Sequence, residues 1–390
     1  MSERLPGSTK YSIFVHHQKT MYMKRTFLLI LIIISACFCY AQQKVATYIV
    51  EGPLSDPTMQ GETIVMVNYE NPETVNSAKV LNGKFQFTGE VEVPFLARIF
   101  AGKHYGMCII EKGTITLDLE KTHTTSGFPI LNPGFGTPLN NEFANLKIFV
   151  DSLSYEAIER LNQLQKESAD NETKAKQEEE IRIKLRKIII PQYQKVFKRH
   201  TNDILGFYTI NELSKELSPD EMMPILTQAG SYIMSLPSVQ NIIKRLEKLK
   251  QTSEGKMFVD FEGKDENGQP LKLSNFVGRG KYTLVSFWSR SCHGCRMEIP
   301  IIDEIYKQFG NKELEVVGVA VNEGSISTKK AIKELNITWP QLFETGSQPY
   351  HLYGFSSIPQ IMLFSPDGTI IARNLHGEGL KAKVKDVLKP

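Results

Sequence analysis

The stretch that decides the fold reads Phe287-Trp288-Ser289-Arg290-Ser291-Cys292-His293-Gly294-Cys295-Arg296-Met297-Glu298-Ile299-Pro300. Immediately before the cysteines, Tyr282 to Trp288 is a nearly unbroken apolar run, the pattern of a strand buried on both faces. After them, Met297 to Phe309 has helical spacing. The two cysteines therefore stand three apart at a strand-to-helix junction. They share one face of the first helical turn and lie within reach of a disulfide, Cys292-Cys295. The positive end of a helix dipole favours an anionic sulfur at its mouth. Cys292 is thus expected to ionise more readily than a free thiol and to act as the attacking sulfur. Cys295, one turn deeper, is expected to resolve the mixed disulfide formed with a substrate.

Two polar neighbours each have two readings. An imidazolium at His293 would favour the thiolate and make the disulfide more oxidising; the plainer reading is a solvent-exposed residue at a helix start. Glu298 follows Cys295 by three positions and faces the same side, where it could exchange a proton with the buried thiol. The plainer reading is a solvated glutamate, but a carboxylate so near a helix core is costly without a task. Arg296 reads as a surface residue.

Downstream, Leu314 to Val321 reads as a second buried strand and Thr328 to Leu335 as a helix. Gln360 to Phe364 and Thr369 to Ala372 form a hairpin around Pro366-Asp367-Gly368, and Leu380 to Leu388 a final helix. Strands alternating with helices imply an α/β module over residues 255–390, a mixed central sheet with helices on both faces. Upstream, from Ala46 to about Leu119, short runs rich in Val, Ile, Phe and Thr alternate with turn formers. Asn82-Gly83 between two such runs signals a hairpin. This region, residues 42–138, is expected to be an antiparallel sandwich or barrel. From Leu139 to about Lys250 the spacing is helical and densely charged, giving a helical region over 139–254. Pro191 is expected to interrupt one helix, and Pro224 and Pro237 to mark others' boundaries.

Lys24-Arg25, the apolar run Phe27 to Ile34 and the small residues ending at Ala41 have a signal-peptide layout over residues 1–41. Translation could begin at Met21 or Met23, since residues 1 to 20 fit no export signal. The apolar run is shorter than the roughly twenty residues of a spanning helix. An uncleaved anchor is one alternative. Another is a lipoprotein box at Ile34-Ser35-Ala36-Cys37, leaving an acylated Cys37 as a membrane tether. Each reading puts the folded part in the periplasm or cell envelope, where cysteine pairs can be oxidised.

The chain has 390 residues, 41% hydrophobic and 23% charged, a balance that excludes disordered, collagenous and coiled-coil classes. Its net charge is +3, but residues 1 to 41 hold five Lys or Arg against one Glu. The remainder has 41 basic and 42 acidic residues, which argues against a nucleic-acid partner. Of five cysteines, Cys37 and Cys39 lie in the leader, leaving Cys108, Cys292 and Cys295. Three thiols are too few for a disulfide scaffold. Cys108 reads as a small apolar residue packed in a strand.

The constellation around Cys292 resembles the thioredoxin superfamily, in particular the exported TlpA/ResA-like thiol-disulfide oxidoreductases of the AhpC/TSA-like group. The likeness runs from about Gly255 to Lys389. It includes Phe287-Trp288 at a strand end, Cys292 and Cys295, Glu298, and Pro300, which in that family kinks the active-site helix. Ser357-Ile358-Pro359-Gln360 matches the family's cis-proline loop, so the resemblance implies a cis Ile358–Pro359 bond beside the sulfurs. It also implies substrate contact at Trp288, His293, Ile358 and Pro359. The chain departs from the pattern at Ser291, at the His293-Gly294 dipeptide and at Ser286, positions that bear on redox potential and partner choice. The upstream region resembles the β-rich DUF4369 domain fused to such modules in Bacteroidetes. Ser77 to Gly89, Pro94 and Gly136-Thr137-Pro138-Leu139-Asn140 carry that likeness.

The expected function is disulfide exchange with cysteine-containing envelope proteins, such as apocytochromes awaiting haem, with a membrane redox partner recharging the pair. No cofactor and no metal are expected. The rivals are a peroxiredoxin-like peroxidase and a binding or assembly protein whose disulfide is a passive staple. A zinc site lacks a second ligand pair.

Overall fold

A computed structural model describes residues 46–120, 124–125, 128–129, 132–167, 171–310 and 312–388. The leader, with its alternatives of cleavage after Ala41 and acylation at Cys37, lies outside the described residues.

The N-terminal strands are β1 (Ala46–Pro53), β2 (Thr63–Asn68), β3 (Thr74–Lys79), β4 (Lys84–Val91), β5 (Phe95–Ala101), β6 (His104–Ile110) and β7 (Gly113–Thr116). Three two-residue strands follow: β8 (Thr124–Thr125), β9 (Phe128–Pro129) and β10 (Asn132–Pro133). Two sheets, ordered β4-β1-β7 and β10-β6-β5-β2-β3, form the sandwich. It is not purely antiparallel, because β1 pairs with β7 and β6 with β10 in parallel. Asn82 and Gly83 make the expected tight turn, both with positive φ, and Leu81 and Lys84 exchange backbone bonds across it. Yet β3 and β4 belong to different sheets. The turn is a corner of the sandwich, which lets Phe85 and Phe87 of β4 join Val50, Ile64 and Met66 in the inner core.

Strand β6 is buried on both faces, and β5 is so at Leu96. Ala97, Ile99, Cys108 and Ile110 face the inner core, while Leu96, Met107 and Ile109 face a cluster made mainly by helices. These are α1 (Pro138–Lys166), α2 (Asn171–Phe197), α3 (Ile204–Glu216), α4 (Pro219–Leu226), α5 (Ser231–Ser235) and α6 (Pro237–Gln251). The start of α1 is pinned to β6 by the buried Asn140, whose amide accepts from Ile109 N–H at 2.8 Å and donates to Ile109 C=O at 2.6 Å. The Glu111 carboxylate accepts from the Leu139 N–H and the Thr137 hydroxyl. Gly136, at φ +109, brings the chain so close that a Cβ there would lie 2.5 Å from the Thr114 carbonyl oxygen.

Two of the three proline expectations are corrected. Pro191 lies inside α2 and Pro224 inside α4. In α2 the lost backbone donor is outweighed by burial of Ile189, Tyr193, Val196 and Phe197 on either side of it. In α4, Met222, Ile225 and Leu226 are likewise buried. Pro237 does begin α6.

The C-terminal module comprises β11 (Glu262–Lys264), β12 (Pro270–Lys272), β13 (Tyr282–Trp288), α7 (His293–Phe309), β14 (Leu314–Ala320), α8 (Ser325–Glu334), β15 (Gln341–Leu342), α9 (Gln348–Tyr353), β16 (Gln360–Phe364), β17 (Ile370–Ala372) and α10 (Gly377–Val387). Its main sheet is ordered β15-β14-β13-β16-β17, with β13 parallel to β14 and antiparallel to β16. The central β13 is buried from Thr283 to Trp288 because it is covered twice. Leu284 and Trp288 pack against Ile299, Ile302 and Ile305 of α7 and Leu380 and Val384 of α10. Val285 and Phe287 pack against Phe261, Tyr353 and Phe355 on the other face. Burial of each such large side chain stabilises the fold by roughly 1.5–3 kcal/mol. This is the thioredoxin fold. Arg373 ties the module to the end of α6, donating to the Thr252 hydroxyl at 2.6 Å and the Tyr353 carbonyl at 2.7 Å.

Among the described residues, no helix is long and apolar enough to cross a membrane.

Candidate active site

The carboxyl end of β13 delivers the chain to α7, and Cys292 is the N-cap of that helix. Its sulfur accepts the Cys295 N–H at 3.1 Å, a bond that satisfies one of the donors every helix start leaves unpaired. Cys292 and Cys295 are joined in a disulfide with Cα atoms 5.3 Å apart. Their environments differ. Cys292 is half-buried, whereas Cys295 is 2% exposed and packed among Trp288, Ile299 and Ile302. The outer sulfur is therefore open to an incoming group and the inner one is not.

The Ile358–Pro359 bond is cis. Gly294, between the cysteines, sits against this loop, where a Cβ would lie 3.2 Å from Pro359 Cδ. A side chain there would be a tight fit, so the bare backbone lets the first turn of α7 approach the proline. Ile358 and Pro359 are half-buried. The structure thus brings Cys292, Cys295, Ile358 and Pro359 together.

Glu298 is buried, at 9% exposure, one turn beyond Cys295. Its carboxylate accepts from Gly377 N–H at 3.0 Å and lies 3.3 Å from His376 Nδ1. His376 is the N-cap of α10 and its Nε2 lies 3.0 Å from Asn374 Oδ1. These partners were absent from the sequence reading. They lie far along the chain from Glu298, Gly377 by 79 residues, and nothing local marks them.

The substrate contact that the resemblance implies for Trp288 does not fit its burial. At 3% exposure it belongs to the core, and its indole N–H donates to Gln341 Oε1 at 2.9 Å. Its length fills the layer under α7, so it supports the cysteine turn from beneath. His293 is exposed on that turn. With Arg290, Ser291, Arg296, Glu323 and Ser327 it lines an open groove of about 440 Å³ beside Cys292. Cys108 lies fully buried on β6, where burial pushes its thiol up to about 12, and it takes no part in this site. Among the described residues, no group of three or more His, Cys, Asp or Glu is arranged to hold a metal.

Residues 255–373 match the AhpC/TSA family, and residues 48–143 match a domain of unknown function, DUF4369. The thiol-disulfide oxidoreductase ResA of Bacillus thuringiensis subsp. konkukian is 27% identical over 135 residues, covering 35% of this chain and 76% of that protein. The ResA protein of Bacillus subtilis is 30% identical over 119 residues, covering 30% of this chain and 65% of that protein. Among solved structures, the thioredoxin domain of a Bacteroides vulgatus thiol-disulfide oxidoreductase is 30% identical. It covers 35% of this chain and 99% of that one, with a TM-score of 0.33. With its strand-rich start matching DUF4369 and its last third matching AhpC/TSA, this chain is TlpA/ResA-like, similar over that last third to the ResA thiol-disulfide oxidoreductases.

Proposed function

We propose that the chain exchanges disulfides with cysteine-containing envelope proteins through Cys292 and Cys295, with Glu298 handling the proton of the inner thiol. The observation that carries this reading is the asymmetry of the pair: an accessible sulfur capping a helix, bonded to a buried one at the third position of the same turn.

In the reducing direction, the Cys292 thiolate attacks one sulfur of a substrate disulfide. The substrate's S–S bond breaks, a mixed disulfide forms, and the other substrate sulfur leaves as thiolate. Helix α7 stabilises the starting thiolate through its dipole and the Cys295 N–H. Cys295 then gives its proton to Glu298 and attacks Cys292 Sγ. The intramolecular disulfide closes and the substrate leaves with both sulfurs reduced. An extended substrate segment pairs with the backbone at Ile358, beside cis-Pro359. Run backwards from the oxidised pair, the same steps place a disulfide in a dithiol substrate.

The leader's layout supports delivery to the periplasm or envelope, with acylation at Cys37 as the alternative, and a membrane redox partner would restore the pair after each turnover. The β-rich segment 42–138 and the helical segment 139–254 are best read as units fused to the catalytic module of 255–390.

The test is trapping. In Cys295→Ser, mixed disulfides with substrate should accumulate on Cys292 and be released by reductant, while Cys292→Ser should trap nothing and lose insulin disulfide turnover. Undiminished turnover in Cys292→Ser would overturn the reading.

A further inference from the structure

The groove beside Cys292 carries a charge pattern that the exchange chemistry does not use. Arg290, half-buried, and Arg296, exposed, both line it. Neither makes an ion pair or a side-chain hydrogen bond among the described residues, unlike Lys381, which is held between Glu304 and Glu378. Ser291 and Ser327 add hydroxyls, and Ser291 and His293 are the chain neighbours of the reactive cysteine. The one carboxylate in the lining, Glu323, stands 3.4 Å from the Thr328 hydroxyl at the start of α8. Two arginines and one glutamate thus line an open groove that also includes both chain neighbours of the attacking sulfur.

We propose that this groove selects substrates whose cysteine is flanked by acidic residues. The proposal rests on the assignment of Cys292 as the attacking sulfur and specifies which polypeptides that sulfur meets. A guanidinium is always charged and offers a fork of donors matched by carboxylates. An Asp or Glu one or two positions from a substrate cysteine would reach the groove once the sulfurs are in contact. A Lys or Arg there would meet repulsion from Arg290 and Arg296 and find only Glu323 as a partner. Exposed pairs of this kind are individually weak, so the effect is discrimination among substrates and faster encounter.

The experiment uses the reduced full chain and three disulfide-linked peptides that differ only in the residues flanking cysteine: Asp and Glu, Asn and Gln, or Lys and Arg. The readout is the ratio of kcat/KM for the acidic over the basic peptide. About tenfold is expected at low salt, shrinking as salt screens the charges. The ratio should fall toward one in the double variant Arg290→Gln, Arg296→Gln and rise in Glu323→Gln. A ratio near one or inverted in the unmodified protein would overturn the proposal, as would a ratio unmoved by the arginine substitutions or lowered by Glu323→Gln. Failure of the underlying dithiol assignment reads differently, since none of the three peptides would then be reduced.

Discussion

Replacing Glu298 with Gln separates a carboxylate that moves a proton from one that only holds two helices together. In the structure Glu298 is 9% exposed and accepts the Gly377 N–H at 3.0 Å, with His376 Nδ1 at 3.3 Å. The amide of Gln has nearly the same shape and can keep the bond from Gly377 through its oxygen. What is lost is the charge-assisted part of that contact, about 1 kcal/mol of stability. A neutral amide cannot accept a proton from Cys295, however, and general-base assistance is worth roughly 10²–10⁴ in rate, or about 3–5 kcal/mol of barrier. The kinetic loss should therefore far exceed the loss of stability. Rapid-quench measurement should show Cys292 attacking a substrate disulfide at nearly the original rate while decay of the mixed disulfide slows by about a hundredfold or more. A urea melt of the same variant gives the stability change. Resolution slowed less than about threefold in a folded variant would refute the proton-transfer role and leave Glu298 as an anchor for α10.

Asn140→Leu removes the side chain that satisfies both backbone groups of Ile109, leaving a buried donor and acceptor without partners. A loss of about 2–5 kcal/mol is expected in chemical denaturation, and a loss well under 1 kcal/mol would contradict the pinning of α1 to β6. His200 lies 2.7 Å from Asp203 and 2.9 Å from Glu142. Burial opposes its protonation, but these contacts outweigh it and raise its pKa above 6.5. Its contribution to stability is thus complete below pH ~6.5 and fades as pH rises through the raised folded-state value. The urea midpoint of the parent protein should lose its advantage over His200→Gln across that rise, and parallel curves would count against the contact.

Much of the module was legible because its signals are local. An apolar run marks β13, the Cys-x-x-Cys spacing marks the turn, and Ser357-Ile358-Pro359 marks the loop opposite it. The rest depends on contacts distant in sequence. Nothing near Glu298 foretells Gly377 or His376, which only the folding of α10 across α7 delivers. The burial of Trp288 was not legible locally, because Gln341, far along the chain, supplies the hydrogen bond that makes it tolerable. Pro191 and Pro224 were read as breaks because local propensity penalises them, whereas flanking apolar residues buried in the helical cluster keep those helices whole. Asn82-Gly83 specified a turn correctly but could not specify that the strands on either side enter different sheets.

The central claim is that the two sulfurs differ, the outer one activated and open, the inner one shielded. Its most direct measurement is the rate of alkylation of the reduced protein across pH, with each modified cysteine located by mass spectrometry. Cys292 should react first and reach half its limiting rate below the ~8.5 of a free thiol, with Cys295 protected while the fold is intact. A Cys292 that titrates like a free thiol, or a Cys295 that reacts ahead of it, would contradict the account.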